Sequence, residues 1–363
     1  MDIEQYLKGR EERVETESKK IRDFLVFDTF NYIPEKPLMR EEVGPLIDAI
    51  LRYKKTFIPN NICILGSSGC GKTSILKFLQ KLFEKEYDLS FKYVNVRSYN
   101  TSFKILAYLL DMQARGLSLS ELENSFEQKF KDKTVLVLDE IDMLSPKDPR
   151  KEILYFSNRS KSNVMLILLS NNPRFLREVD ETCRSSLQME VTYFKPYNAI
   201  QIFEILKQRA EKGMVDYDEG MLRQIAAITA QQTNSDVRMA IKTLFYCATE
   251  TDLKVEDAFE RARRDIIREL IQGLNDRMIL ILQAIQEEKE GYARSVYQRY
   301  RKISLDKGED PFSYTHFCTA LSYLQASGLI LISQVKVNRT YTNRITHLFE
   351  PEMLNVVLQL RFA

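Results

Sequence analysis

The chain has 363 residues, and its 53 lysines and arginines nearly balance 51 aspartates and glutamates, which leaves a formal net charge of +2. With 44% hydrophobic residues, 29% charged residues and only 12 glycines and 10 prolines, the composition excludes a collagenous or broadly disordered chain and predicts two or three globular domains. The first residues lack the apolar core of a signal peptide, and the longest uncharged apolar stretch, residues 162–173, falls short of the roughly 20 residues that a membrane span requires. We therefore expect a soluble, cytoplasmic protein with no membrane partner.

The cysteines and the N-terminal residues predict no site of their own. No cysteine belongs to a CxxC pair, and two histidines do not complete a zinc cluster at recognisable spacing. The cysteines are Cys63, Cys70, Cys183, Cys247 and Cys318. We expect free thiols in a reducing cytosol. Residues 1–22 are densely and alternately charged, which is typical of either a solvated helix or a loose arm.

A phosphate-binding loop is predicted over residues 66–73. Residues 60–65 form an apolar run typical of a short strand, and from residue 75 to residue 83 apolar side chains recur at helical spacing. Between them stands GSSGCGKT, and this order of strand, glycine loop and helix is the context in which GxxxxGK[ST] binds phosphate. The loop alone leaves open a plain glycine-rich turn closed by a surface lysine.

Each residue type in this loop has a chemical reason. The glycines let backbone amides converge on phosphate oxygens, and the new helix presents its positive dipole end to them. Lys72 is expected to reach the terminal phosphates, and Thr73 to offer its hydroxyl to Mg²⁺. The residues expected to bind the nucleotide here are Gly66, Ser67, Ser68, Gly69, Cys70, Gly71, Lys72, Thr73 and Ser74.

A second motif, TVLVLDEIDML, supports this interpretation. Residues 134–138 are typical of a strand buried on both faces of a parallel sheet, and the run ends in Asp139 and Glu140. Carboxylates at the carboxyl end of such a strand face the ligand crevice. We expect Asp139 to hold the Mg²⁺ water shell and Glu140 to orient or deprotonate the attacking water. Alone, an acidic pair after a strand is often only the start of a polar loop.

A third apolar run, residues 164–169, ends in SNN. This brings Asn171, or its neighbour Asn172, to the same crevice, where an amide can hold the γ-phosphate or the lytic water. Asparagine after a strand is also a common turn former. A strand over 92–96 and a helix over 101–113 complete an alternation that predicts a parallel α/β sheet with right-handed crossovers.

After residue 196 the pattern becomes helical throughout. Helical periodicity runs over 199–210, 219–229, 236–249 and 255–274. This predicts an all-helical lid domain over 197–274. Arg238 stands in SDVRMAIKTL at the start of the third helix, from which a lid can bring an arginine to the phosphates. On periodicity alone, a solvated arginine is the competing interpretation.

Residues 275–363 are predicted to form a winged helix. Helices are expected over 277–289, 293–303 and the stretch YTHFCTALSYLQASGLI, with two strand-like runs around 337–343. In the third helix, Phe317, Leu321 and Leu324 mark the buried face.

The opposite face of that helix and the wing supply candidate DNA contacts. From residue 294 to residue 347, eight basic residues stand against three acidic ones, which leaves a local charge of +5. Such a patch is the electrostatic footprint of duplex DNA binding. The candidates are Thr315, Thr319, Ser322, Lys336, Arg339 and Arg344. A winged helix that contacts protein is the alternative.

In this order, the motifs resemble those of the AAA+ replication initiators of the origin-recognition and cell-division-control type, over residues 31–348. GSSGCGKTS, VLDEIDML and LLSNN are similar to the family's nucleotide loop, its metal-and-base motif and its first sensor. SDVRMAIKTL is similar to its second sensor, which implies a nucleotide role for Arg238. NYIPEKPLMREE and FKPYNAIQIFEILKQRA resemble the segments that lie by the adenine. That resemblance implies contacts from Tyr32, Ile33, Pro34, Arg40 and Tyr197.

The resemblance implies an ATP-dependent initiator with an α/β AAA+ P-loop ATPase domain over 23–196, followed by the lid and the winged helix. ATP and ADP with Mg²⁺ are the implied switch, and the implied catalytic residues are Glu140, Asp139, Asn171 and Arg238. The expected partners are double-stranded origin DNA, bound through the winged helix and the AAA+ domain, the replicative helicase, which the protein would help to recruit or load, and paralogous initiator subunits. The expected location is the cytoplasm, in association with the nucleoid, or the nucleus if the chain is eukaryotic. The compact length and short N-terminal arm favour an archaeal member.

One stretch departs from the family pattern. After the first sensor the family places an arginine that acts on a neighbour's nucleotide, but the matching VDETCRSSL has Thr182 there and Arg184 two residues later. Such an arginine contributes roughly 10³ to 10⁵ in turnover. We therefore expect a slow ATPase, or a paralogue that modulates the main initiator, unless Arg184 substitutes.

Two other functions use similar parts. A STAND-like signalling or regulatory ATPase also joins a nucleotide loop and an acidic strand end to a winged helix, which then contacts protein. The lid arginine and the segment NYIPEKPLMRE argue against it. A clamp loader is expected to end in a helical collar rather than in a basic wing. Salt-sensitive duplex binding separates the initiator from both.

Overall fold

The computed structural model describes residues 3, 20–113, 115–145, 148, 151–159, 163–250, 253–337 and 340–362. Most of the charged arm predicted over 1–22 lies outside these residues. The chain divides into two compact units: the α/β unit (Ile33–Pro196) and the C-terminal unit (Met1–Tyr32 with Tyr197–Ala363). Within the described ranges, no helix is both long enough and apolar enough to cross a membrane.

The α/β unit is built around a five-stranded sheet. The strands are β1 (Ile62–Gly66), β2 (Ser90–Asn95), β3 (Thr134–Asp139), β4 (Val164–Ser170) and β5 (Glu190–Phe194). Their spatial order is β2-β3-β4-β1-β5, and every neighbouring pair is parallel. The helices are α1 (Val43–Thr56), α2 (Lys72–Tyr87), α3 (Ser102–Leu110), α4 (Leu119–Lys129), α5 (Glu152–Arg159), α6 (Phe175–Glu178) and α7 (Glu181–Leu187). The predicted parallel α/β class is confirmed.

Apolar clusters cover both faces of this sheet. One contains residues of α1 and α2, among them Tyr53 and Phe83, and the other contains residues of α3, α4, α5 and α7, among them Phe126. β3 and β4 are therefore buried along their whole length, which explains their continuous apolar sequences. β5, which the sequence analysis does not predict, is an edge strand whose Val191 and Tyr193 are exposed.

The C-terminal unit begins with the four helices that the sequence predicts. They are α8 (Ala199–Gly213), α9 (Glu219–Gln232), α10 (Val237–Thr249) and α11 (Val255–Gln272). Side-chain caps explain where three of them start: Asn198 accepts from the amide of Gln201, and Asp218 and Asp236 cap α9 and α10 in the same way. The all-α character of this segment is confirmed, and its boundaries as a separate domain stay a prediction.

Residues 21–32 pack on α8. The amide of Arg22 donates to the carbonyl of Gly213 at 2.7 Å, and the buried Arg209 guanidinium donates to the carbonyl of Val26 and lies 4.7 Å from the ring centroid of Tyr32. Burial lowers the pKa of Arg209 to about 10, which still leaves the guanidinium charged at neutral pH. Residues 23–32 are predicted from the sequence to belong to the α/β domain, whereas the structure groups them with the lid helices because of these contacts.

The winged helix follows in the same unit. Its elements are α12 (Asp276–Glu287), α13 (Ala293–Asp306), α14 (Tyr314–Ala326), β6 (Ile330–Val337), β7 (Thr340–His347) and α15 (Pro351–Phe362). β6 and β7 form an antiparallel hairpin, and Tyr292 adds a bridge to Arg344. Phe317, Leu321 and Leu324 of α14 are buried as predicted. Helix α15 is not predicted from the sequence.

His347, the last residue of β7, carries a pH-dependent part of the stability. Its ring is largely buried and stacks on Phe349 at 4.6 Å between centroids. Burial lowers the pKa of His347 to about 4, against a smaller opposing effect of the Leu282 backbone. Because the unfolded chain has a higher pKa, of about 6.5, the neutral ring stabilises the fold above that pH, and this stabilisation is lost as the pH falls towards 4.

We therefore expect the free energy of unfolding to be lower by about 2 kcal/mol at pH 5 than at pH 7.5 on account of this side chain. In His347→Phe the difference between the two pH values should shrink by that amount, as measured by urea denaturation. His316→Phe, at an exposed position of α14, is the control and should keep the wild-type difference. A pH dependence unchanged in His347→Phe contradicts the assignment.

Candidate functional site

The loop between β1 and α2 has the backbone conformation of a phosphate cradle. Gly69 and Gly71 adopt φ angles of 75° and 88°, which residues with side chains rarely occupy. A Cβ atom on Gly66 would lie 2.8 Å from the carbonyl oxygen of Phe194, so no larger residue fits there. α2 begins at Lys72, and the first amides of a helix have no partner within it. This is the strand–loop–helix arrangement in which phosphates are bound.

The Lys72 ammonium is buried against this loop. Its Nζ donates to the carbonyl oxygens of Gly66 at 2.8 Å and Ser67 at 2.9 Å, and to Asn171 Oδ1 at 2.8 Å. The neighbouring Asn172 is buried, and its Oδ1 accepts from the amide of Arg174 at 2.9 Å. Of the two candidates for the first sensor, Asn171 therefore lies at the loop, while Asn172 stabilises the turn after β4.

Ser67 adds a further polar group to the cradle. Its Oγ is buried and has no hydrogen-bond partner in the part of the chain that the structure describes. A buried hydroxyl without a partner costs free energy, and such groups in native proteins call for an explanation such as a bound ligand. The Ser67 hydroxyl, the Lys72 ammonium and the helix amides together fit an anionic group such as a nucleotide phosphate.

Three donors converge on the Asp139 carboxylate at the end of β3. Thr73 Oγ1 donates to Oδ2 at 2.7 Å, the Tyr93 hydroxyl donates to the same oxygen, and the amide of Glu140 donates to Oδ1 at 2.8 Å. A threonine hydroxyl that gives its proton to Asp139 keeps its lone pairs for a cation. Hard oxygen donors of this kind suit Mg²⁺, so Thr73 and Asp139 fit the predicted metal role.

Tyr93 is absent from the sequence-based prediction of the site. It lies in β2 opposite Val137 of β3, two residues before Asp139. Burial, together with the Asp139 carboxylate, raises the pKa of Tyr93, so its hydroxyl stays protonated and donates. The only signal in the sequence is an aromatic residue in a strand next to the acidic one, and the strand register is needed to interpret it.

Glu140 lies directly after β3 in the left-handed region, at φ 55° and ψ 44°. A residue with a side chain pays about 1–3 kcal/mol for such a conformation, and such strain clusters at functional sites. The chain then continues into a 3₁₀ turn, Ile141–Met143. The half-buried Glu140 therefore stands at the exact point where the chain leaves the sheet beside Asp139.

Asp142, within that turn, connects the ends of β3 and β4. Its Oδ1 accepts from Ser170 Oγ at 2.7 Å and from the amide of Asn171 at 3.3 Å. Burial raises the pKa of Asp142. Asp142 is not among the site residues predicted from the sequence, although it is the second aspartate of DEID. Its contacts fix the backbone that carries Asn171.

Arg40 is buried in the α/β unit, where it stabilises the loop. Its guanidinium donates to the carbonyl oxygens of Cys70 at 2.8 Å and Lys195 at 2.5 Å, and forms an ion pair with Glu42 at 3.0 Å. It also lies 5.3 Å from the ring centroid of Phe194. These contacts connect residue 40 to the nucleotide loop and to the end of β5. The implied adenine contact of Arg40 stays a prediction.

The other residues implied to lie by the adenine are divided between the units. Ile33 and Pro34 are half-buried in the α/β unit. Tyr32 and the buried Tyr197 belong to the C-terminal unit. Their roles toward the base stay predictions.

Arg238 lies in the first turn of α10. Its Nε donates to Asp236 Oδ1 at 3.0 Å and its Nη2 to Oδ2 at 2.5 Å. Asp236 therefore both caps the helix and holds the half-buried guanidinium. The role of Arg238 as a second sensor stays a prediction.

Thr182 and Arg184 are both exposed on α7, with the buried Cys183 between them. Arg184 is thus on the surface of the α/β unit, as a residue that acts on a neighbouring molecule must be. The substitution of Arg184 for the arginine expected at position 182 stays a prediction.

The candidate DNA contacts lie on α14 and the hairpin. Thr315 is exposed, while Thr319 and Ser322 are half-buried and donate to helix carbonyls at 3.3 Å and 3.2 Å. Lys336 and Arg344 are exposed on the two strands of the wing, and Arg339 lies outside the described residues. Tyr341, which is not among the predicted contacts, is 70% exposed opposite Lys336, with 6.0 Å between the Lys336 Nζ and the ring centroid.

The sequence and the fold have known relatives. Residues 62–197 match the ATPase family associated with various cellular activities (AAA). The ORC1-type DNA replication protein 1 of Sulfurisphaera tokodaii is 30% identical over 341 residues, which cover 85% of each chain. The protein of the same name from Archaeoglobus fulgidus is 26% identical over 348 residues, which cover 85% of this chain and 84% of the relative.

Solved structures of other proteins share the fold. The Aeropyrum pernix ORC1 protein in complex with DNA has a TM-score of 0.71 at 23% identity, over 95% of this chain and 98% of that one. The ORC2 protein of the same organism, in ADPNP–ADP complexes, has a TM-score of 0.59 at 22% identity, over 94% of this chain and 99% of that one. The AAA+ fold and the resemblance to replication initiators are thereby confirmed. The 30% sequence identity between this chain and the S. tokodaii protein, over 85% of each sequence, shows that this chain belongs to the family of archaeal ORC1-type DNA replication proteins.

Proposed function

We propose that this protein is an ATP-binding initiator of DNA replication that holds duplex origin DNA and helps to recruit or load the replicative helicase. One observation carries the proposal: at the carboxyl end of a parallel sheet, Lys72 donates a hydrogen bond to Asn171 and Thr73 donates one to Asp139. The same chain also has a basic winged helix. ATP and ADP would act as the switch between binding states.

The residues of the α/β unit divide the work on the nucleotide. Ser67, the loop amides and Lys72 would hold the phosphates, and Thr73 and Asp139 would hold Mg²⁺. Bound Mg²⁺ supplies charge neutralisation at the phosphate oxygens. Glu140 would accept a proton from the attacking water, and Asn171 would orient the terminal phosphate or that water. We also propose that Arg238 acts as the second sensor of the nucleotide, because SDVRMAIKTL resembles that motif of the family.

Turnover is proposed to be slow because Thr182 stands where the family has its trans-acting arginine. Slow turnover suits a switch, because the state of the protein then depends on which nucleotide is bound rather than on the rate of ATP hydrolysis. Paralogous initiator subunits are the proposed neighbours that would supply or receive such an arginine. The proposed place of action is the chromosome, in the nucleoid.

The DNA-binding surface is proposed to comprise the exposed start of α14 and the wing. Thr315, Lys336 and Arg344 are exposed there, and Arg339 belongs to the same stretch of sequence. The similar A. pernix ORC1 structure contains DNA, which supports a DNA-binding role for this fold.

The test is duplex binding by fluorescence anisotropy across a salt series, with Lys336→Ala/Arg344→Ala beside the wild type. Loss of two phosphate contacts should weaken binding about tenfold and reduce the slope of log K against log salt by about 2. Lys81→Ala/Lys85→Ala, which removes the same charge from exposed positions of α2, is the control and should bind like the wild type.

Genomic fragments that compete far better than random DNA would locate the origin site. If the wild type and both double variants bind every duplex equally weakly, the DNA-binding proposal is wrong. The winged helix would then be a protein-docking module, as in a signalling ATPase.

A further inference from the structure

We propose that Tyr93 is a positioning residue that holds the Asp139 carboxylate in place for Mg²⁺ and thereby sets the Mg²⁺ affinity of the nucleotide site. This inference rests on the proposed function, since it adds a residue to the same site. Tyr93 belongs to neither the phosphate loop nor the acidic motif, and it reaches the site from the neighbouring strand.

The sheet register explains how Tyr93 reaches Asp139. Tyr93 of β2 lies opposite Val137 of β3, and Asn95 lies opposite Asp139. Side chains two residues apart on a strand share a face, so Tyr93 and Asp139 are diagonal neighbours on one face of the sheet. Such neighbours are about 7–8 Å apart, a distance that a tyrosine can cross. The Tyr93 hydroxyl does so and donates to Asp139 Oδ2.

The hydroxyl completes the set of bonds that fixes the carboxylate. Oδ1 accepts from the amide of Glu140 at 2.8 Å, and Oδ2 accepts from Thr73 Oγ1 at 2.7 Å and from Tyr93. Thr73 is itself a candidate ligand, and Glu140 belongs to the strained turn after β3. Tyr93 is the donor to Asp139 that comes from inside a regular strand, where its backbone is held by the ladder with β3.

The Tyr93 ring is itself held in place. It is half-buried and packs against the apolar cluster that α1 and α2 form with the sheet. Lys77 Nζ lies 5.7 Å from the ring centroid, within the range of a cation–π contact. The packing fixes the hydroxyl where Asp139 needs it, so the donor is preorganised.

Tyr93→Phe separates the donor from the packing, because phenylalanine keeps the ring. Partners of metal-ligand side chains typically contribute about 10- to 100-fold to metal affinity. We therefore expect the Mg²⁺ concentration for half-maximal tightening of ATP binding to rise about tenfold or more in this variant. ATP affinity in EDTA and the thermal midpoint in EDTA should match the wild type.

The measurement uses a fluorescent ATP analogue bound to the full chain, first in EDTA and then across a MgCl₂ series. Tyr87→Phe is the matched control: Tyr87 is the last residue of α2, is 39% exposed, and makes a tilted ring contact with Phe83 at 5.0 Å between centroids. It should keep the wild-type Mg²⁺ midpoint.

An unchanged Mg²⁺ midpoint in Tyr93→Phe overturns the inference. So does an equal loss of affinity with and without Mg²⁺, since Tyr93 would then support only the fold. If the wild type binds no ATP analogue under any condition, the proposed nucleotide site fails, and this inference fails with it.

Discussion

Glu140→Gln is expected to lower ATP turnover by about 10²- to 10⁴-fold while ATP affinity stays within about twofold of the wild type. Glutamine keeps the size and polarity of the side chain but cannot accept a proton from water. The contacts proposed for binding are made by Lys72, Ser67 and Thr73, and the substitution leaves these residues in place.

Turnover in the two proteins is best compared under single-turnover conditions, since the wild type itself is expected to be slow. ATP binding should be measured on the same samples by calorimetry. Glu84→Gln changes an exposed glutamate on α2 and is the matched control, with wild-type turnover expected. Equal turnover in Glu140→Gln and the wild type removes Glu140 from the mechanism.

Lys72→Met is expected to weaken nucleotide binding by about 3–4 kcal/mol, or about 10²- to 10³-fold, because hydrogen bonds to charged groups contribute about 1.5–3 kcal/mol each. Lys72 is 7% exposed, and its ammonium already donates four hydrogen bonds, three within the loop and one to Asn171. Methionine keeps most of the side-chain volume, so the loss reports on the ammonium.

Calorimetric titration with ATP and with ADP gives the affinity, and circular dichroism checks that the variant is folded. Lys81→Met replaces an exposed lysine of the same helix and should bind like the wild type. A folded Lys72→Met protein with wild-type affinity would mean that the loop is a structural turn rather than a phosphate site.

The best-predicted elements are those whose sequence pattern reports burial directly. β3 and β4 are continuous apolar runs because helices cover both faces of the sheet, and their predicted bounds agree with the structure to within one residue. The lid helices are equally clear, since one face of each is apolar. The edge strand β5 mixes exposed and buried positions, and its sequence carries no comparable signal.

Helix α4 is not predicted from its periodicity, but its sequence does carry a local signal. α4 begins with a complete capping box, in which Ser118 Oγ accepts from the amide of Glu121 and the Glu121 carboxylate accepts from the Ser118 amide. The apolar face behind it is short, with Leu122 and Phe126 buried. The cap, rather than the periodicity, was the available evidence for this helix.

The residues of the candidate site also differ in how well the sequence predicts them. Lys72, Thr73, Asp139 and Asn171 lie in contiguous motifs whose spacing has a chemical meaning, and the structure brings them together. Tyr93 contacts Asp139, and Asp142 contacts the Asn171 amide, only because of how neighbouring strands are aligned. Strand register is a property of the folded sheet, so local pattern could not identify these partners.

The left-handed backbone of Glu140 has a consequence for how this protein can be stabilised. Glycine adopts that conformation without steric cost, so Glu140→Gly would relieve strain of roughly 1 kcal/mol or more while deleting the carboxylate that the proposed chemistry requires. A sequence optimised only for folding would therefore discard the group next to Asp139. At this position, foldability and activity favour opposite residues, and the chain retains the one that is harder to fold.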